Sequence, residues 1–105
     1  MDILHLPLKS KWYLMIELRI KKEEYRVIND YWLKRLTINR EEALRAWAFC
    51  QPELIRFKQF AAVRFRYGYT KQFMDFPKPT IRIGRGNPDW GAPTDRDVFI
   101  ISWNK

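Results

Sequence analysis

The sequence predicts a small α+β domain built round a mixed sheet or barrel, and three observations carry that reading. The 105 residues are one domain's worth, with no room for a second. Apolar residues make up 47% of the chain and aromatics 16%, with five Trp, five Tyr and seven Phe, which supplies a core and argues against disorder. The hydrophobic period also switches between two and about 3.6 along the chain, with the period-two stretches concentrated late.

Residues 3–9 place Leu4, Leu6 and Leu8 on one face and His5 on the other, as a strand does. Pro7 cannot donate to a ladder, so this strand belongs at an edge or near its own end. Ser10 reads as the N-cap of a short helix over 11–18, with Trp12, Met15 and Ile16 at helical spacing. Residues 22–28 form a charged strand, with Glu24, Arg26 and Ile28 on one face and Glu23, Tyr25 and Val27 on the other. Residues 30–36 read as a short helix. A longer one starts at Asn39, whose partner Glu42 completes a capping box, and it ends before Pro52. Leu44, Trp47 and Ala48 give that helix its apolar stripe. Residues 61–67 alternate, sending Val63, Phe65 and Tyr67 inward and Arg64 and Arg66 outward. Residues 68–79, with Gly68, Pro77 and Pro79, read as a loop, and 80–83 as a short strand. Gly84 to Pro93 is turn-rich, and the apolar run 98–103 reads as a buried strand.

The chain carries 20 Lys and Arg against 12 Asp and Glu, a net charge of +8. The excess is spread along the sequence, so any positive patch must be assembled by the fold. A pI near 9.9 combined with many aromatics favours a nucleic-acid partner over an acidic protein. One Cys and one His exclude a disulfide framework and a typical zinc site, so no metal and no cofactor is expected. No run of 18 apolar residues occurs, so no membrane span is expected, and without a basic leader and apolar core at the N-terminus the expected location is cytoplasmic.

The most unusual stretch is Lys21-Lys22-Glu23-Glu24-Tyr25-Arg26. Its plain reading is an exposed edge strand whose charges discourage aggregation. Its functional reading is that Lys21, Glu24 and Arg26 line one cleft, where Glu24 stays ionised between two cations. There Glu24 orients Arg26 for a phosphate or exchanges a proton with Lys21.

The run Lys21-x-x-Glu24-x-Arg26 resembles the G-x-K-x-x-E-x-R motif of ASCH domains, with Arg19 in the place of the first Gly. Four further stretches resemble small phage-type ASCH proteins in the same order. They are Ile3 to Lys9, Glu24-Tyr25-Arg26 with Tyr31-Trp32-x-Lys34-Arg35-Leu36, Val63-x-Phe65-Arg66-x-Gly68-Tyr69, and Ile83-Gly84-x-Gly86-Asn87-Pro88-Asp89-Trp90-Gly91. The resemblance implies a PUA-like fold, a small mixed and partly open β-barrel with flanking helices, and an association with RNA. Some ASCH-like proteins are hydrolases that deacetylate acetylated cytidine, and others are ribonucleases. In the deacetylating type a Thr stands three residues after the Lys, where this chain has Glu24, and a distal Glu completes the site, whereas no Glu follows Glu53 here.

Two further features add candidates. Gly84-Arg85-Gly86-Asn87-Pro88 has the composition of a backbone nest for a phosphate, with the alternative of a wide turn pinned by Trp90. Tyr67, Tyr69 and Phe73 interleave with Arg64, Arg66 and Lys71, a pattern suited to stacking on single strands. Cys50 reads as a buried inert thiol, and His5 as structural or exposed. The reading as a whole is a module that binds RNA or a modified nucleotide. Its cleft is floored by Lys21, Glu24 and Arg26, with Tyr25, Arg64, Arg66, Tyr69, Arg85, Asn87 and Trp90 as ligand-binding residues. The alternative is a metal-independent hydrolase of RNA or acylated nucleosides in which Lys21 and Glu24 are catalytic.

Overall fold

The computed structural model describes residues 2–104. Strand β1 (Ile3–Leu8) leads into helix α1 (Ser10–Glu17), strand β2 (Glu23–Arg26), and helices α2 (Asp30–Leu36) and α3 (Arg40–Ala48). A 3-10 turn at Pro52–Leu54 precedes β3 (Ala62–Tyr67), β4 (Phe73–Pro77) and β5 (Thr80–Gly84). A second such turn at Pro88–Trp90 precedes β6 (Val98–Ser102). The α+β class is as expected, but the strands form two three-stranded sheets rather than a closed barrel. One sheet has the order β1-β3-β4, with β1 parallel to β3 and β4 antiparallel to it. The other has the order β2-β6-β5 and is antiparallel throughout.

The two sheets fail to join at two seams. Between β4 and β5, Lys78 takes φ +46° and Pro79 has no N–H to donate, so the chain turns a corner into the other sheet instead of forming a hairpin. Between β1 and β2, the two edge strands share no ladder. Pro7 lies on the β1 edge as its sequence predicts, and the Arg26 guanidinium reaches across to its carbonyl, Nη2 donating at 3.4 Å.

The main core lies between the sheets and the helices: Leu4, Leu6 and Leu8 of β1, Val63 and Phe65 of β3, Tyr13, Ile16, Leu33 and Leu36 of the helices, and Phe99 and Ile101 of β6. The other face of β6 packs Val98 and Ile100 against Tyr25, Ala92 and Trp90. Burial on both faces explains why β6 is apolar almost throughout.

Several expectations need correction. The α1 N-cap is Lys9, with Ser10 already the first helical residue, and the buried positions of α1 are Tyr13 and Ile16. Helix α3 is capped by Asn39 as expected, its Oδ1 accepting from the Glu42 amide at 3.1 Å, but it buries Ala43 and Ala46 and leaves Leu44 and Ala48 exposed. Close packing selects small residues on that face. The charged strand spans 23–26 rather than 22–28. The region 68–79 is not all loop, because β4 pairs with β3 across it and half-buries Met74 and Phe76.

Both α1 and α3 end in the same way without glycine. The Arg19 amide donates to the Ile16 carbonyl and the Ile20 amide to Met15, both at 2.9 Å, with Arg19 at φ +62°. The Cys50 amide donates to Trp47 and the Gln51 amide to Ala46, with Cys50 at φ +56°. These are Schellman closures whose left-handed residue is ordinarily Gly. Arg19, standing where the motif has its Gly, therefore keeps the left-handed turn that presents Lys21, at a conformational cost of about 1–2 kcal/mol. The same closure puts Cys50 on the surface, against the expectation of a buried thiol.

Candidate functional site

Register determines where the charges of β2 point. Glu24 stands opposite Ile101 and Arg26 opposite Phe99, so both project from the face that packs on the main core. They do so at the sheet edge, where β1 leaves the core uncovered by a ladder. A carboxylate so placed needs cations, and two are present. Lys21 Nζ lies 3.2 Å from Glu24 Oε1 and Arg26 Nη1 lies 3.6 Å from the same oxygen. The Tyr25 amide also donates to Oε1, at 2.8 Å. Both cations and the Tyr25 amide approach the carboxylate through Oε1, and Glu24 lines the adjoining cavity.

That cavity, of about 230 Å³, is the open β1/β2 seam itself. It is lined by Pro7, Leu8 and Lys9 on one side, Glu24, Tyr25 and Arg26 on the other, and Trp12, Trp90 and Gly91 across the mouth. Arg26 is mostly buried, with 18% of its side chain exposed; Nη1 donates to the Tyr25 carbonyl at 2.7 Å, and the guanidinium stacks 5.3 Å from the Trp32 ring centroid. Desolvation lowers its pKa, opposed by Glu24.

Lys21 departs from the expected role. It is 1% exposed and does not line the cavity. Its ammonium donates to the Trp90 carbonyl, pairs with Glu24, and lies 4.6 Å and 5.0 Å from the Trp12 and Tyr25 ring centroids. Burial pushes its pKa down and Glu24 pulls it back up. Lys21 is a strut behind the wall, tying β2 to the Trp90 turn and fixing the Glu24 carboxylate.

Tyr25 continues this bracing on the opposite face of β2. Its hydroxyl donates to Glu23 Oε1 at 2.9 Å and accepts from the Asn87 amide at 3.0 Å. Burial raises its pKa from 10.0 to about 12, reinforced by Glu23. The expected phosphate nest is thus occupied by protein: the Asn87 amide serves Tyr25, and Asn87 Oδ1 accepts from the Asp89 amide. Gly86 is glycine for packing, since a Cβ there would lie 2.5 Å from Tyr25 Cε1 and 2.6 Å from Ala92 Cβ. Gly91, at φ +100°, faces Trp12 so closely that a Cβ would lie 2.9 Å from Cζ2.

Of the predicted ligand-binding residues, the seam unites Tyr25, Arg26 and Trp90, and it adds Glu24 of the predicted catalytic pair. Arg85 and Asn87 lie outside the cavity lining, Arg85 engaged by Asp97 at 3.1 Å and by the Thr94 carbonyl. Arg64, Arg66 and Tyr69 belong to the β3–β4 hairpin. Arg64 is held by both oxygens of Asp75 at 2.8 Å and stacks 3.9 Å from the Phe73 centroid, while Arg66 reaches the Thr70 carbonyl and Tyr69 is fully exposed. Arg66 stands opposite Pro7, on the sheet face beside the seam. His5 is exposed. Sequence reasoning missed Trp12, Lys9 and Leu8 at the cavity, because the strand and helix that carry them meet β2 only in the fold.

Comparison of the chain with models of known families, with curated protein sequences and with solved structures finds no match.

Proposed function

We propose that this chain is a nucleic-acid-binding module of the ASCH type, with a PUA-like arrangement in which the open seam takes a base of RNA or a modified nucleotide in the cytoplasm. The observation that carries the reading is the ion trio of Lys21, Glu24 and Arg26, of which Glu24 and Arg26 line one small cavity together with Trp12 and Trp90. A carboxylate acceptor beside a guanidinium donor matches the mixed donor and acceptor edge of a nucleobase. The aromatic lining supplies stacking, worth about 1–3 kcal/mol per base. The net charge of +8 supplies attraction to phosphate. No helix among the described residues is long and apolar enough to cross a membrane.

The hydrolase alternative has less support, because Lys21 does not line the cavity and, among the described residues, Glu24 is the one carboxylate that does. Any hydrolysis there would run through Glu24 with Lys21 as its positioning residue.

The test is titration of the protein with a panel of nucleosides and short RNAs, read by the fluorescence of the tryptophans, two of which line the cavity. Saturable quenching, weakened about tenfold or more in a folded Arg26→Gln variant, is expected. No quenching by any member of the panel, or equal affinity in the variant, contradicts the reading. Turnover of RNA or of an acylated nucleoside that persists with a strong chelator and is lost in Glu24→Gln moves the assignment to the hydrolase.

A further inference from the structure

The seam cavity is small. At about 230 Å³ it falls below the roughly 300–1,000 Å³ usual for a complete small-molecule ligand, so it takes a base and leaves the rest of a nucleotide outside. A second groove, of about 600 Å³, lies beside it, lined by Asp2, Ile3, His5, Tyr31, Lys34, Arg35, Lys58 and Phe60. Two connections join the grooves. His5 of the second is two residues along β1 from Pro7 of the first, about 7 Å on the same exposed face. The Trp32 ring centroid lies 5.3 Å from Arg26, which lines the seam, and 5.4 Å from Arg35, which lines the second groove.

The second groove is net cationic, with Lys34, Arg35 and Lys58 against Asp2, and keeps its positive charge available. Among the described residues no carboxylate lies within ion-pair distance of Lys34, Arg35 or Lys58. Lys58 Nζ donates only to the Lys34 carbonyl at 3.3 Å, and Arg35 to the Tyr31 hydroxyl at 3.0 Å. By contrast, Arg64, Arg82 and Arg85 are each held by an acidic residue. Tyr31 is 56% exposed, edge-on to Trp32 at 4.9 Å and under Arg35 at 5.8 Å. An exposed aromatic among unpaired cations is a stacking platform within a phosphate track.

We infer that the ligand is a single-stranded oligonucleotide rather than a free nucleoside. One base enters the seam, the backbone crosses the Arg26–Trp32–Arg35 bridge, and the next nucleotides run along Tyr31, Lys34 and Lys58. This rests on the proposed function and extends it to residues on α2 and the segment before β3, in place of the Arg64/Arg66/Tyr69 hairpin.

The experiment compares a nucleoside 5′-monophosphate with a single-stranded RNA octamer and a DNA octamer of the same sequence. The proteins are wild type, Lys34→Gln/Lys58→Gln, and Tyr31→Ala as a second, uncharged probe, with folding checked by circular dichroism. The octamers are expected to bind wild type at least tenfold more tightly than the monophosphate. The double variant should lose at least tenfold for the octamers, with the slope of log K against log salt shallower by about 1.4. Tyr31→Ala should lose about fivefold or more. Monophosphate affinity should be unchanged in both variants. Octamer affinity equal to that of the monophosphate in wild type, or unaffected by both variants, overturns the strand track while leaving the seam reading intact. Absence of monophosphate and octamer binding in wild type removes the seam reading itself, and the track with it.

Discussion

The two seams at which the sheets fail to join are built from opposite materials. At the β4/β5 corner the opening is lined by Phe57, Phe60, Ala61, Pro79 and Ile81, with Lys58, Gln59, Lys78 and Thr80 around them. At the β1/β2 edge the opening is lined by Glu24 and Arg26, braced from behind by Lys21. The corner follows from local chain geometry at Lys78 and Pro79 and is held by apolar contact. The edge has three charged groups inside the core layer, an arrangement whose desolvation cost a hydrophobic replacement would avoid. A protein needing only stability could have treated both seams alike. On the proposed reading, this difference is why the charged seam is assigned the ligand.

The largest expected effect breaks that contrast directly. Glu24→Ala strands Lys21 and Arg26 in the core and should destabilise the fold by roughly 3–5 kcal/mol in denaturant unfolding. The triple replacement Lys21→Met, Glu24→Leu and Arg26→Met turns the charged seam into a second apolar one. It should restore most of that stability and abolish nucleotide binding. A triple variant no more stable than Glu24→Ala would mean the trio is not paired as described.

Next in size is Gly86→Ala. Its Cβ would collide with the Tyr25 ring and Ala92, so a loss of about 1–3 kcal/mol is expected from the Trp90 turn alone, read by the same unfolding curves.

Tyr25→Phe should cost about 1 kcal/mol, because the Asn87 amide and Glu23 lose their shared partner. It also isolates a pH effect. The folded state holds the Tyr25 proton up to about 12, whereas the unfolded chain releases it near 10.0. The resulting stability is fully present below pH 10 and is lost as pH rises towards 12. Lys21, lowered by burial, titrates with the opposite sign in the alkaline range and is common to both proteins. The difference in stability between wild type and Tyr25→Phe should therefore shrink across that window. A constant difference from pH 8 to 12 would contradict the raised pKa.

The smallest effect concerns how Lys21 is presented. Arg19→Gly should relieve the left-handed strain at φ +62° and leave stability unchanged or improved by up to about 1 kcal/mol, with binding unaffected. A loss of several kcal/mol would mean that the Arg19 side chain, not only its backbone, supports the turn.

These contrasts also explain what could be read from the chain. Helix α2, the Asn39 cap and strand β6 were legible because each rests on a local signal: a short period, a capping pair or an unbroken apolar run. The pairing of Glu24 with Arg26 followed from their two-residue spacing on a strand. Strand β4 was hidden because its inward face offers only Met74 and Phe76 between turn residues and two prolines. The inward face of α3 was misread because Ala43 and Ala46 are less hydrophobic than the exposed Leu44. The open seams were illegible because barrel closure is decided between edges distant in sequence, and no local pattern records that β1 and β2 stay unpaired. For the same reason Trp12, brought over Lys21 from another element, escaped notice.

The most direct test of the charged seam is a titration of isotope-labelled protein with a short single-stranded RNA, followed through backbone amide resonances. The account predicts that the largest shifts fall at Leu8, Lys9, Trp12, Glu24 to Arg26, and Trp90 to Gly91, with Ala61 and Thr80 to Ile81 at the apolar corner unmoved. Shifts concentrated at the corner, or confined to the exposed β3–β4 hairpin around Tyr69, would contradict it.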